Sequence, residues 1–178
     1  MNDGLTGHAT GDRQVFRRRT GGWEVELLPG WDAVEDILGA ALVSREPRRE
    51  GAAFRSNINV VESPETLPED LYTYSEQQAE LLREAGVEPH DLMVRLPDEN
   101  ESSLKPGQMA VRVQSRSNIQ GAIVEQETIW VGLGSASLIF TLMAEEAEYE
   151  AKQEAMLSVP RSLKLHPSAD ADGNQVIG

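Results

Sequence analysis

The sequence predicts an α+β fold: a mostly antiparallel sheet of about six or seven strands flanked by two main helices. Three observations predict it. Segments that alternate apolar and polar residues begin at Trp23 and at Phe54, and a period of two marks a half-buried strand. Between Gln108 and Met143, strand-like segments follow one another through connections of a few residues, which antiparallel neighbours allow and parallel ones do not. The two helical stretches are segregated from the strands and form no βαβ units.

In chain order, residues 1–13 mix Gly, Thr, Asn and Asp without apolar periodicity and read as a disordered tail. Trp23, Val25 and Leu27 then share one face of a strand, which Pro29-Gly30 ends in a turn. Residues 32–37 read as one or two helical turns, and 39–44 as a strand. In the next strand, Phe54, Ser56, Ile58 and Val60 face the core, and Arg55, Asn57, Asn59 and Val61 face the other way.

Thr66-Leu67-Pro68-Glu69 has the form of a capping box with proline in the first turn. The helix it opens runs to about Ala85, stops at Gly86 and presents Leu71, Tyr74, Gln78, Leu81, Leu82 and Ala85 as its apolar stripe. Four strands follow at about 91–96, 108–115, 121–132 and 136–143, with Ser117-Asn118 between the second and third. A second helix over 145–157 places Ala147, Ala151, Ala155 and Val159 along one side, with Met156 adjacent, until Pro160 ends or kinks it. Residues 166–178 read as a flexible tail. The folded part, 14–165, is one domain of a size that can bury a core without cross-links.

The net charge of −14, from 30 acids and 16 bases, repels phosphate backbones, so nucleic acid is not an expected partner. With no cysteine, disulfides, thiolate metal sites and thiol nucleophiles are excluded. No apolar run is long enough for a membrane span. Met1 to Thr20 lacks the apolar region of a signal peptide, so a cytoplasmic location is expected.

Catalytic chemistry finds little to stand on. His8, His90 and His166 have no partners at ligand spacing, so no metal is expected, and no cofactor either. Gly132-Leu133-Gly134-Ser135 joins two strands with no lysine and no following helix, and reads as a hairpin turn where a phosphate cradle would need both. Glu125 and Glu127 lie on one strand face, where they read as a solvated outer surface. No catalytic residue is assigned.

Asn57 and Asn59 are unusual, because asparagine is disfavoured in strands. They serve either hydrogen bonding within the fold or contact with a ligand. Trp23, Trp31 and Trp130 read as core anchors.

The order of Trp23 to Trp31, then Phe54-x-x-Asn57-Ile58-x-Val60, Leu71-x-x-Tyr74-x-x-x-Gln78 and Ser162-Leu163-Lys164-Leu165 resembles the DcrB-like and LpqN-like bacterial proteins with the PsbP-like α/β/α sandwich. That resemblance, over about 14–165, implies a binding scaffold and no enzyme. The group includes lipoproteins, photosystem accessory proteins, a nuclear-transport GTPase cofactor and chaperones for secreted effectors. The expected function is therefore that of a non-catalytic adaptor or chaperone-like protein. Its protein partner would meet Asn57, Asn59, Arg112 and Trp130, and self-association through the same sheet is a further expectation. The alternative is a small-ligand carrier or enzyme with a pocket between sheet and helix, lined by the same residues.

Overall fold

The computed structural model describes residues 14–18, 20, 22–96 and 105–166. The tail expected at 1–13 lies outside the described residues, as does that at 166–178 apart from His166. Twelve elements form two sheets and two helices among the described residues. A seven-stranded antiparallel sheet contains β3 (Asp32–Ile37), β4 (Ala40–Arg45), β5 (Asn57–Ser63), β6 (Glu88–Val94), β7 (Met109–Ile119), β8 (Ala122–Gly132) and β9 (Ser137–Glu145), in the order β3-β4-β5-β9-β8-β7-β6. A small sheet, β1-β2-β10, joins β1 (Val15–Arg18), β2 (Trp23–Glu26) and β10 (Lys164–Leu165). Helix α1 (Leu71–Glu84) packs against β6 and β7, and α2 (Glu146–Arg161) packs against β2, β8 and β9.

The sheet therefore has two unlike sides. On one, Ile58 and Val60 of β5, Leu138, Phe140 and Leu142 of β9, and Ile129 and Val131 of β8 meet Trp23 and Val25 of the small sheet and Met156, Leu157 and Val159 of α2. These side chains are nearly or wholly removed from solvent. At roughly 1.5–3 kcal/mol per buried large apolar side chain, this is the dominant core. On the other side a smaller cluster joins Leu71 of α1 to Ala110, Val111, Val113 and Trp130.

The expected strands of the meander form, and Phe54 apart, the core-facing residues of β5 are those read from its alternation. Several local expectations are corrected. Residues 32–37 are a strand, not helical turns, because Leu38 (φ 52°) and Gly39 (φ 83°) close a two-residue hairpin with β4. Positive φ at both central residues is the turn that matches strand twist. The β7–β8 turn falls at Gln120-Gly121, not Ser117-Asn118. Both turn residues have positive φ, and Asn118 Oδ1 accepts the Gly121 N–H at 3.0 Å.

Helix α1 starts after Asp70, not at a Thr66 cap. The Asp70 carboxylate accepts from Thr73 N–H at 3.0 Å and Thr73 Oγ1–H at 2.7 Å, taking the reciprocal place a capping side chain fills. Its buried line is Leu71, Ser75 and Ala79, and Leu81 of the expected stripe is exposed. In α2, Ala147, Ala151 and Ala155 are exposed, while Val159 and Met156 of the same stretch are buried together with Tyr149, Leu157 and Pro160. The helix also continues through Pro160 to Arg161. Strands β1 and β10 had no counterpart in the sequence reading.

Candidate protein-binding face

Residues directly opposed in antiparallel register point to the same side of a sheet. One row on the α1 side therefore runs Val43, Asn59, Thr141, Thr128 across β4, β5, β9 and β8. A second row runs Arg45, Asn57, Met143, Gln126, and a third runs Val61, Ile139, Trp130. Helix α1 sits over the β6–β7 half of this side. Towards β4, β5 and β9 the side chains of Val43, Asn57, Asn59, Val61, Thr141 and Met143 stay half-buried. They form a face of small apolar and neutral polar groups, with Arg45 at its border.

Asn57 and Asn59 form a ladder along β5. Asn59 Nδ2 donates to Asn57 Oδ1 at 3.2 Å, and Asn57 Nδ2 donates to the Arg55 carbonyl at 2.9 Å. Both thus have partners in the fold and still border solvent. Trp130 shares their side of the sheet but is 4% exposed and packs against Tyr74 in a T-shaped pair with ring centroids 6.3 Å apart.

Arg112 is on the opposite side, so the four residues named from the sequence do not converge. Its guanidinium pairs with Glu127, whose side chain is fully buried beneath α2. Tyr149 O–H donates to Glu127 Oε2 at 2.5 Å and Gln153 Nε2 donates to the same oxygen at 3.2 Å. Next to it, Glu125 accepts from Arg116 at 2.8 Å and lies 3.4 Å from His90 Nε2.

The expectation of a solvated Glu125/Glu127 surface is therefore overturned: both are buried. The cause is α2, which lies over this face and brings its own tyrosine and glutamine donors. A buried carboxylate persists when paired and hydrogen-bonded, and Glu127 is. Burial pushes the Tyr149 hydroxyl up to about 12, so it stays a donor. Tyr149, Gln153 and Glu127 were missed as a unit. The legible signal was the alternation Arg112-x-Gln114-x-Arg116 on β7, which a turn at Gln120-Gly121 sets opposite Glu125 and Glu127.

A second polar anchor fixes the start of α2. Lys152 Nζ donates to Glu46 Oε2 at 2.7 Å, Ser56 Oγ at 2.9 Å and Glu148 Oε2 at 2.6 Å. Hydrogen bonds from Arg49 and Lys152 lower the Glu148 carboxyl to about 2. Glu46 is also lowered: burial opposes ionisation, but the bonds to Lys152 and Ser56 outweigh it. Asp70 is lowered by its bonds to Thr73.

A carboxyl depressed on folding stabilises the native state above its unfolded pKa, and that stability is lost as pH falls through the folded value. The melting temperature is therefore expected to fall progressively from about pH 4.5 towards 2. Thermal melts against pH check this, and Glu148→Gln is expected to flatten part of the slope.

Among the described residues, no group of three or more His, Asp or Glu side chains is placed to hold a metal ion. No described helix is long and apolar enough to cross a membrane.

Layer order and the open sheet face define an antiparallel α/β/α sandwich of the PsbP-like class. The likeness extends to solved structures over most of the chain. The cyanobacterial PsbP (CyanoP) from Synechocystis sp. PCC 6803 aligns with a TM-score of 0.61 at 14% identity, over 90% of this chain and 99% of that one. LpqN of Mycobacterium tuberculosis, involved in cell envelope biogenesis, aligns with 0.50 at 12% identity, over 88% and 87%. A Pseudomonas aeruginosa protein of unknown function, described as a putative regulator, aligns with 0.54 at 16% identity, over 88% and 99%. At these identities the likeness concerns the fold. No family model matches the chain, and no curated protein does.

Proposed function

We propose that this chain is a non-catalytic protein-binding scaffold, an adaptor or chaperone-like protein for a secreted or assembled partner. The partner docks on the β4–β5–β9 face that bears Asn57 and Asn59. The observation that carries the reading is the character of that face: six half-buried, uncharged side chains on a molecule of net charge −14. Interface cores are depleted of charge and rimmed by polar groups, and this face has that composition.

Two facts favour a docking face over the pocket alternative. Over β7 and β8 the space beneath α1 is filled by Leu71, Val111, Val113 and Trp130, and the opening that remains, between α1 and β6, is a surface groove and not a closed cavity. The buried carboxylate Glu127 is held by three neighbours, which leaves it poorly placed for acid–base work.

The test is affinity capture from the native cell with the full chain and with Asn59→Arg. One stoichiometric protein is expected with the native chain, lost with the variant while the variant's melting temperature stays close to native. Equal capture by Asn59→Arg, or recovery of a tightly held small molecule in place of a protein, overturns the proposal. Recovery of the chain's own second copy alone would also count against an adaptor.

A further inference from the structure

The geometry points to a second docking surface, separate from the face above: β6 and α1 together receive an extended, basic peptide segment of a partner protein as an added strand. Among the described residues β6 ends the large sheet and pairs with β7 alone. An edge strand presents main-chain donors and acceptors on its outer side. Here the Leu92 N–H is held by the neighbouring Asp91 carboxylate, at 2.9 Å, a bond that the carbonyl of an incoming strand can replace. Strand addition at a sheet edge beside a flanking helix takes affinity from main-chain bonds and selectivity from alternate side chains.

The surroundings fit that mode. A groove of about 480 Å³ runs between β6 and α1. Its helical wall is Glu76, Ala79, Glu80 and Arg83, at the spacing that puts residues on one helix face. Ala79 and Leu92 supply apolar floor, Glu76 and Glu80 stand on the helical wall beside one guanidinium, and Asp91 and His90 line the strand side, His90 turned towards Glu125 at 3.4 Å. That guanidinium is already engaged, because Arg83 bonds Glu80 at 2.7 Å.

The groove thus favours lysine or arginine at those alternate positions of the guest whose side chains face α1. A second copy of this chain is disfavoured as the occupant. Pro89 and the bulge between Pro89 and Asp91 spoil the first half of the edge for a flat sheet-to-sheet joint, and two such acidic grooves repel each other. The usable stretch, Asp91 to Val94, suits a short peptide.

The test is a titration of the isotope-labelled full chain, followed by amide chemical shifts, with a blocked octapeptide of alternating lysine and valine. Saturable shifts are expected at residues 91–94 and along the Glu76–Arg83 wall, weakening with added salt. Glu76→Gln and Asp91→Asn are each expected to weaken binding by about two- to five-fold, the range of exposed ion pairs. The same peptide N-methylated on every backbone amide keeps its charge, but it has lost its main-chain donors along both edges and cannot pair as a strand. It is expected to bind at least about tenfold more weakly, because it forfeits the main-chain bonds of the added strand. The proposal is overturned if the N-methylated peptide binds equally well, or if a glutamate–valine peptide does. Shifts scattered over the acidic surface or centred on β5 and β9 overturn it too.

Discussion

Arg112→Met is expected to destabilise the protein by about 3–5 kcal/mol, the cost of removing one partner of a buried ion pair. For a domain of this size each kcal/mol moves the melting temperature by roughly 2–4 °C, so the shift is large and easily read. The reason is the state in which Glu127 is left. Its side chain is fully buried, and only Tyr149 and Gln153 would still donate to it.

Replacing the whole unit separates desolvation from pairing. Arg112→Met, Glu127→Leu and Tyr149→Phe together are expected to recover most of the loss, because a buried ion pair and well-packed apolar groups of similar volume are often equivalent in energy. Denaturant unfolding of the single and triple variants checks both statements. A near-neutral Arg112→Met would mean that its guanidinium is free for a ligand after all.

Trp23→Ala is expected to cost about 3–5 kcal/mol, as for other fully buried aromatic residues. Trp23 is 0% exposed, its ring centroid lies 5.4 Å from that of Phe16, and its Nε1–H donates to Glu62 Oε1 at 2.8 Å. That hydrogen bond ties the small sheet to β5 of the large one. Trp23→Phe keeps most of the apolar body and loses the bond, so a smaller cost of about 1–3 kcal/mol is expected. Denaturant unfolding gives the magnitudes. Amide exchange adds the local signature: in Trp23→Ala, protection in β1, β2 and β10 is expected to fall further than in β7 and β8. Uniform loss across both sheets would contradict an anchoring role.

Much of the architecture was legible because it rests on period-two patterns with apolar neighbours. Ile58 and Val60 announce their face by alternation alone. Local geometry was less legible where a turn lacks the usual Asn-Gly signal, as at Leu38-Gly39, or where a strand is only two residues long, as at Lys164–Leu165. The buried side of α2 was not legible from its alanines, because alanine spacing marks a helix as readily as it marks a buried side. The bulky Tyr149, Met156 and Leu157 decide which side docks.

For the candidate site, Asn57 and Asn59 were found from their rarity in strands, and they do lie on the open face. Arg112 and Trp130 were grouped with them without knowledge of register. Register puts Arg112 on the other side of the sheet and Trp130 under α1. Burial of Glu125 and Glu127 could not be read from β8 alone, since the residues that cover it come from a helix some twenty positions later.

Met143 offers the most direct measurement of the docking claim. It is half-buried between Asn57 and Gln126 on the open face, while Met109 is half-buried at the start of β7 against the core on the other side. Oxidation of methionine to the sulfoxide follows access to the thioether, so brief radical footprinting of the free chain and of the captured complex reports on both. The account predicts that the partner slows Met143 oxidation strongly relative to Met109. Equal Met143 oxidation in the free chain and in the complex would contradict it.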